Sequence, residues 1–121
     1  MKIKQSGQYV YSYDKWLSIL DGKDTIKLNQ NTKVVRNDFY NTLEFYLHGT
    51  CILTLSKKDR FLYNINGWST LTTKRRLNQL GPLTIYQEDF IWYYQDSSIH
   101  KKEYQDGIIV GLYTEPYDSL W

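Results

Sequence analysis

This sequence of 121 residues has one cysteine, two prolines and no long apolar run. The single cysteine, Cys51, excludes an intramolecular disulfide and favours a reducing compartment, in which we expect a buried, inert thiol. Without a run of about 18 apolar residues or a signal-peptide pattern, we expect no contact with a membrane and no export. No Pro-rich or Gly-rich linker divides the chain, which predicts one domain over residues 1–121.

An excess of either charge is also lacking. Fifteen Lys and Arg stand against thirteen Asp and Glu, a formal net charge of +2. A protein that coats nucleic acid without preference is expected to be far more basic. Any anion-binding site must therefore be local.

The common enzyme signatures are missing. The sequence contains no glycine-rich phosphate loop, no exposed-serine turn and no paired-carboxylate motif. His48 and His100 are the two histidines, and neither has a second ligand at a metal-binding spacing. We therefore expect no metal site and no cofactor. A weak alternative is that His48, with Arg75 or Arg76, cleaves a phosphodiester as a general acid or base.

Aromatic side chains are abundant, at 17% of the chain with twelve Tyr and four Trp. Such residues favour strands and half-buried surfaces, so we expect a sheet-rich protein. Tyr9, Tyr11 and Tyr13 alternate with other residues. This period of two predicts either an edge strand or a self-association surface, and the latter would make the protein a homo-oligomer.

The clearest pattern is a hairpin between Leu43 and Ile65. Apolar residues alternate along positions 43–55, interrupted at His48-Gly49. The glycine there marks a bulge or bend in one strand, or the junction of two strands. Lys57-Lys58-Asp59 predicts a polar turn, after which alternation resumes until Asn66-Gly67.

Further strands are predicted in two pairs, residues 83–86 with 90–94 and residues 102–105 with 108–113. The turn of the first pair would be Gln87-Glu88-Asp89. The second pair would be a hairpin through Asp106-Gly107, a dipeptide suited to tight turns.

Two short helices complete the prediction. One helix is predicted between Thr72 and Leu80, with Thr70 or Thr72 as its N-cap and Gly81-Pro82 as its end. A second short helix or single turn is expected near residues 14–21, with Asp14 as N-cap and Gly22 as its stop. The fold class is therefore α+β, a mostly antiparallel sheet built from hairpins with one short embedded helix and a second near the start.

The charges of the later helix lie at an unusual end. Lys74, Arg75 and Arg76 fall in its first turn and a half, where backbone N–H groups are unpaired and the dipole is positive. Each cation opposes the dipole by roughly 0.3 kcal/mol or more at an exposed site, so stability alone would favour Asp or Glu. This placement predicts an anion site, and phosphate is the obvious candidate.

The predicted phosphate clamp joins these cations to neighbouring polar and aromatic groups. Arg offers a bidentate fork to phosphate, and hydroxyls and amides would supply further donors. The ligand-binding residues are Thr72, Thr73, Lys74, Arg75, Arg76, Asn78 and Trp68. The alternative is that the cations only keep a small helix soluble, or pair with carboxylates of Glu44, Glu88 or Asp89.

Aromatic residues offer the other half of a nucleic-acid site. Bases stacked on Trp68 or on rings of Trp92-Tyr93-Tyr94 would contribute about 1–3 kcal/mol each. In a strand, Trp92 and Tyr94 share one face while Ile91 and Tyr93 share the other. At most one of these sets can be presented to a ligand.

The segments Tyr46-Leu47-His48-Gly49-Thr50, Gly67-Trp68-Ser69-Thr70-Leu71-Thr72-Thr73-Lys74-Arg75-Arg76-Leu77-Asn78 and Trp92-Tyr93 resemble a recurring pattern in small uncharacterised bacteriophage proteins. In that pattern a His-Gly-Thr strand precedes Gly-Trp, Thr-Thr-Lys, an Arg and an Asn, with a late Trp. The similarity covers residues 41–94, and Asn66 stands where many relatives have a second glycine. The resemblance implies a phage or prophage origin and action in the bacterial host cytoplasm, and it brings no enzyme activity.

We therefore expect a noncatalytic phage accessory protein that binds a phosphate-bearing ligand, either nucleic acid or a nucleotide, at the basic start of the later helix. The alternative is a protein-interaction module that inhibits a host factor through its aromatic and basic surface.

Overall fold

In the computed structural model, which describes residues 9–95 and 101–112, the chain forms helices and antiparallel strands. In chain order these are α1 (Tyr13–Leu20), β1 (Thr25–Lys27), β2 (Thr32–Asn37), β3 (Thr42–Leu47), β4 (Thr50–Ser56), β5 (Arg60–Tyr63), α2 (Leu71–Leu80), β6 (Thr84–Glu88), β7 (Ile91–Gln95), β8 (Lys102–Glu103) and β9 (Ile108–Gly111). One sheet has the order β1-β2-β3-β4-β5-β9 and the other β6-β7-β8. The predicted α+β class, mostly antiparallel sheet with short helices, is confirmed.

Of the two interpretations of His48-Gly49, the junction of two strands is correct. β3 ends at Leu47 and β4 begins at Thr50, opposite it. The two turn residues both have a positive φ, 51° for His48 and 83° for Gly49. That conformation is typical of the tightest hairpin turns, whose twist matches the flanking strands.

A β-bulge at Ile52 reconciles this turn with the apolar pattern. A two-residue turn reverses the parity of the core-facing positions, so Phe45 would lie opposite Ile52. The register instead shifts after Phe45, which lies opposite Leu53, and Ile52 becomes the extra residue of β4. Both Ile52 and Leu53 are buried as a result. Leu55 is thereby brought back to the core face.

Cys51 is only partly buried, which corrects the prediction of a buried thiol. Cys51 lies opposite Tyr46 on the outer face of the sheet, one residue before the bulge at Ile52. Its Sγ is 3.6 Å from the hydroxyl oxygen of Thr54. Burial raises the pKa of the thiol, which favours the protonated, unreactive form.

Helix α1 starts earlier than predicted, because its N-cap is Ser12 and not Asp14. The Ser12 hydroxyl accepts a hydrogen bond from the Lys15 backbone N–H at 3.1 Å. Tyr13 is therefore the first helical residue, and residues 9–12 form no strand, so the predicted edge strand of tyrosines is wrong. Trp16 packs edge-on against Phe45 of β3 with ring centroids 5.4 Å apart, which anchors α1 on the larger sheet.

Helix α2 agrees with its prediction to within a residue. Thr70 is the N-cap, and its hydroxyl accepts a hydrogen bond from the Thr73 N–H at 3.1 Å. Leu77 and Leu80 are buried in the core, as their spacing requires for one helical face. The helix ends at Leu80, and its C-cap residue Gly81 is extended.

The strands after α2 differ from prediction in their connections. Gln87 and Glu88 belong to β6, and the turn to β7 is at Asp89 and Phe90. Strands β8 and β9 do not pair with each other, because β8 pairs with β7 and β9 with β5. The predicted hairpin through Asp106-Gly107 is therefore wrong, and Tyr113, its expected last residue, lies outside the described residues.

The reason is that Asp106-Gly107 is bound to the end of β5. One oxygen of Asp106, Oδ1, accepts the N–H of Ile65 at 2.9 Å and the Tyr104 hydroxyl at 2.8 Å. The N–H of Gly107 donates to the Tyr63 carbonyl at 2.8 Å. These bonds start β9 alongside β5, so the turn connects the two sheets.

Candidate functional site

The start of α2 leaves two backbone donors unused. Thr70 takes the N–H of Thr73 with its hydroxyl and that of Lys74 with its carbonyl oxygen. The N–H groups of Leu71 and Thr72 have no hydrogen-bond partner within residues 9–95 and 101–112. Two donors thus remain at the positive end of the helix dipole.

Two of the sequence-predicted ligand residues are occupied by internal contacts. Thr73 is 1% exposed, and its hydroxyl oxygen lies 2.9 Å from that of Thr70. Asn78 donates to the carbonyl of Ile85 at 2.8 Å and accepts the N–H of the same residue at 2.7 Å. Both side chains hold α2 in place, whereas Thr72 is partly exposed.

The three cations of α2 do not converge, because consecutive helical residues point about 100° apart. Lys74 donates to the side-chain oxygen of Gln87 at 3.0 Å and lies 5.6 Å from the centre of the Trp92 ring. Arg76 is directed to the other side of the helix. Arg75 is exposed and has no partner in the part of the chain that the structure describes.

Arg76 is held by neutral amides. Its Nη1 donates to Gln79 Oε1 at 2.6 Å and its Nη2 to Asn31 Oδ1 at 3.3 Å. Its Nε is buried without a partner among the described residues, and burial lowers the pKa of the guanidinium. Arg76 is therefore a partly buried cation with no carboxylate beside it in residues 9–95 and 101–112.

Within residues 9–95 and 101–112, none of the expected carboxylate partners Glu44, Glu88 and Asp89 forms an ion pair with a cation of α2. Glu88 accepts from Lys101, and Glu44 accepts from Tyr46 and Asn37. The hydroxyl of Tyr46 has its pKa raised to about 12, chiefly by burial and then by its bond to Glu44. The interpretation of the α2 cations as partners of these three carboxylates is wrong.

Large apolar side chains are exposed around the start of α2 and the β6–β7 turn. Trp68 is 56% exposed and Leu71 58%, while Phe90 is 94% and Ile91 40% exposed. Phe90 and Ile91 line a groove of about 500 Å³ together with Gly67, Ser69, Trp92 and Tyr104. Glu103 and Asp106 also line this groove, and among the described residues no Lys or Arg does.

The two faces of β7 separate its aromatic residues as predicted. Trp92 is buried against Tyr104, and Tyr94 packs on the core. Tyr93 lies on the opposite face, 6.0 Å from Tyr86 between ring centroids, with the Lys101 ammonium 4.2 Å from its ring centre. The sequence did not predict this Tyr86-Tyr93-Lys101 cluster, because its members come from three separate segments of the chain.

His48 occupies the β3–β4 turn, far along the chain from α2 but linked to it through one residue. The His48 N–H donates to the Asn31 carbonyl at 2.9 Å, and Asn31 Oδ1 accepts from Arg76. The fold therefore brings His48 toward Arg76 and not toward the differently directed Arg75. His100 lies outside the described residues.

Next to His48 lies a pocket that the sequence analysis missed. Its cationic members, Lys27 and Lys33, come from β1 and β2. The signal in the sequence was weak, because two lysines separated by five residues are unremarkable until strand pairing places them opposite each other.

No group of three or more His, Cys, Asp or Glu side chains in residues 9–95 and 101–112 is arranged to hold a metal ion. Over the same residues, neither helix has the length and apolar character needed to cross a membrane.

Comparison with protein families gives a match over most of the chain. The family model described as Kyanoviridae Gp96 protein matches residues 12–111 of the 121. No curated protein and no solved structure matches significantly. Because the matched segment is most of the chain, this protein belongs to the Kyanoviridae Gp96 family, a family of phage proteins.

Proposed function

We propose that this member of the Kyanoviridae Gp96 family is a noncatalytic phage accessory protein that binds single-stranded nucleic acid across the start of α2, in the host bacterial cytoplasm. The observation that carries the proposal is that Arg75 is exposed and has no partner in the described ranges. Arg75 lies one helical turn from Leu71 and Thr72, whose backbone N–H groups are unused. An anion at this position would meet a guanidinium fork and two backbone donors.

Trp68 adds a surface for a base. It precedes α2 and is 56% exposed, so its indole ring is accessible to a stacked base. Lys74, on the neighbouring side of the helix, lies over Trp92 and would add positive charge for a second phosphate. A strand that follows the helix start would thus meet alternating ring and cation contacts.

A single strand fits this surface better than a mononucleotide. Small ligands are usually held in concave sites that bury most of their surface. The groove beside the start of α2 is lined by Glu103 and Asp106 and, within the described part of the chain, by no Lys or Arg, which disfavours a phosphate inside it. A flexible strand lies across an open surface without entering such a groove.

The test is a salt titration of binding to a fluorescently labelled oligothymidylate, measured by anisotropy. For single strands the slope of log K against log salt is about −0.7 per phosphate contact. Arg75→Ala is expected to weaken binding and to make the slope about 0.7 less steep. Trp68→Ala is expected to weaken binding with the slope unchanged, because stacking is not ionic.

Lys23→Ala is the matched control. Lys23 is an exposed lysine after α1, and its replacement removes one positive charge, as Arg75→Ala does. It is expected to bind like the wild type. The proposal fails if the wild type does not bind at low salt, or if Arg75→Ala keeps both affinity and slope.

A second candidate function, binding and inhibition of a host protein, is favoured by Phe90. This residue is 94% exposed and has a φ of 67°, a left-handed conformation that is costly for a bulky side chain. Neither property stabilises the fold, and exposed aromatic groups of this kind often anchor protein interfaces. Leu71 and Trp68 extend the exposed apolar surface.

Phe90→Asn tests this candidate without loss of stability, because Asn tolerates the left-handed region. If the second candidate is correct, a host protein binds to the wild type and to Arg75→Ala but not to Phe90→Asn. Phe90→Asn is then expected to bind oligothymidylate as the wild type does. Equal capture by all three variants contradicts it. Conversion of a dimer to a monomer by Phe90→Asn, measured by sedimentation, would assign the surface to self-association instead.

A further inference from the structure

A separate pocket lies where the β1–β2 connection meets the β3–β4 turn. Its volume is about 230 Å³, and the lining residues that bear on its chemistry are Lys27, Asn31, Lys33, Tyr46 and His48. Within the described part of the chain, no carboxylate lines the pocket. The pocket shares no lining residue with the start of α2.

Two of its cations face each other across a strand pair. Lys27 of β1 and Lys33 of β2 are directly opposite in the antiparallel register. Side chains in such pairs leave the same face of the sheet with Cβ atoms about 5 Å apart, and like charges there are destabilising. Selection for stability alone would replace one of the two by a carboxylate or a neutral residue.

This repulsion is not relieved by an acidic neighbour. Neither lysine forms an ion pair within the described part of the chain. The Lys33 ammonium lies 5.5 Å from the centre of the Tyr46 ring, which holds it over the outer face of the sheet. The nearby carboxylate, Glu44, accepts hydrogen bonds from Tyr46 and Asn37.

Neutral donors complete the wall. Asn31 Oδ1 accepts from the Thr32 hydroxyl at 2.7 Å and from Arg76 at 3.3 Å, so the oxygen of this amide faces donors. Its Nδ2 group has no partner among residues 9–95 and 101–112. His48 carries at least one N–H donor in either protonation state. The Arg76 guanidinium behind Asn31 adds a further positive charge.

From this arrangement we propose that the pocket binds a phosphate group, with Lys27 and Lys33 as its charged ligands and Asn31 and His48 as neutral donors. The bound anion removes the repulsion between the lysines and accepts charge-assisted hydrogen bonds from both. The phosphate comes either from a small molecule, such as free phosphate or a mononucleotide, or from a nucleic-acid backbone. The proposal goes beyond strand binding at α2 and does not depend on it.

The experiment compares thermal unfolding of wild type, Lys27→Gln, Lys33→Gln and the control Lys23→Gln, with inorganic phosphate, adenosine monophosphate or oligothymidylate as probe. The wild type and the control are expected to show a melting temperature that rises with at least one probe. Each pocket variant is expected to need about tenfold more of that probe, since a lost charged hydrogen bond is worth about 1.5 kcal/mol or more.

Without any probe, the two pocket variants are expected to melt at or above the wild-type temperature, because each removes the like-charge pair. The variants are thus expected to be at least as stable as the wild type without probe but to respond less to it. If the two lysines had a structural role instead, their replacement would lower the melting temperature both with and without probe. General stabilisation by phosphate as an excluded salt would raise all four proteins equally.

The probe that stabilises most strongly identifies the source of the phosphate. Arg75→Ala, which tests the α2 surface, is expected to leave the response to phosphate and mononucleotide unchanged. The pocket proposal is overturned if no probe raises the melting temperature of the wild type, or if every rise persists in both pocket variants.

Discussion

The side-chain amide of Asn78 forms the same two hydrogen bonds with Ile85 that a neighbouring strand would form. Nδ2 donates to the Ile85 carbonyl at 2.8 Å, and the Ile85 N–H donates to Oδ1 at 2.7 Å. Through this pair α2 is fixed to the edge strand β6 of the smaller sheet. Asn78 is therefore a structural residue whose amide is bound to β6, and the polar face of α2 is smaller than its sequence implies.

Replacement of Asn78 by Ala is expected to lower the free energy of unfolding by about 2 kcal/mol, because both backbone groups of buried Ile85 lose their partner. Urea unfolding followed by circular dichroism measures the change. Asn78→Asp, which keeps the acceptor but loses the donor, is expected to be destabilised as well. A variant as stable as the wild type would contradict this assignment.

Gly81 faces the ring of Tyr63, and its replacement by Ala is expected to destabilise the fold by about 1–3 kcal/mol through overpacking. An added Cβ would approach the Tyr63 hydroxyl and lie 2.8 Å from Cζ. Tyr63 is fully buried and cannot move aside freely, since its oxygen accepts the Leu83 N–H at 3.1 Å.

A double-mutant cycle with Tyr63→Phe isolates this contact. Tyr63→Phe alone is expected to cost stability, because it leaves the buried Leu83 N–H unpaired. Gly81→Ala is expected to cost less in that background than in the wild type. Equal costs in both backgrounds would show that the clash is not the cause.

The two adjacent arginines of α2 are expected to differ in their effect on stability. Arg75→Ala should change the free energy of unfolding by less than about 0.5 kcal/mol, because its side chain is exposed. Arg76→Ala should cost about 1 kcal/mol or more, since it loses its bonds to Gln79 and Asn31 and the packing of its stem.

Arg76→Met is the informative companion of Arg76→Ala. It keeps an apolar stem of similar length and removes a partly buried cation whose pKa is lowered by burial. We expect it to be more stable than Arg76→Ala, because burial of an uncompensated charge is unfavourable. If Met and Ala destabilise equally, the charge of Arg76 is itself needed by the fold.

Stability is expected to fall in alkali through the buried Tyr63 and the partly buried Tyr46 and Tyr104. Burial raises the pKa of Tyr46 from 10.0 to about 12 and also raises those of Tyr63 and Tyr104. Their contribution is fully present below pH 10, the ordinary value, and is lost as pH rises through the folded-state values. Above pH 10 the unfolded chain has released more protons than the folded chain, so the slope of stability against pH is negative.

The measurement for this prediction is the midpoint of urea unfolding at pH 8 to 12, together with ultraviolet absorbance of tyrosinate (on the order of pH 10 for free tyrosine). Ionisation of the buried Tyr63 is expected to coincide with unfolding. Complete ionisation in the folded state would contradict the assigned burial.

The sequence predicted the hairpin elements more securely than their faces and partners. Alternation from Leu43 to Leu55 is a local property and located β3 and β4 correctly. The bulge at Ile52, by contrast, follows from fitting a two-residue turn to a fixed core, which depends on residues in both strands. The pairing of β9 with β5 depends on a hydrogen bond that the Ile65 N–H donates to Asp106. These two residues are 41 positions apart in the chain.

The candidate site shows the same division. Sequence located the cations on a helix and its N-cap at one of two threonines. It did not indicate that Lys74 lies over Trp92, that Arg76 reaches Asn31, or that Arg75 alone among the three has no partner in the described ranges. Phage-protein membership was suggested by residue patterns and is supported by the family match over residues 12–111. The proposed ligand remains a prediction.

By itself the sequence determined the α+β class, both helices and most strands, because helix caps, glycine turns and apolar periodicity act within a few residues. The tertiary structure alone decided where the charge of α2 is available. In a helix the side chains of Lys74, Arg75 and Arg76 point in different directions. Which of them form hydrogen bonds or ring contacts depends on the neighbours that the fold places beside each one. Likewise, Lys27 and Lys33 became a charged pair only when β1 and β2 paired, because a sheet places opposite each other residues that the chain keeps apart.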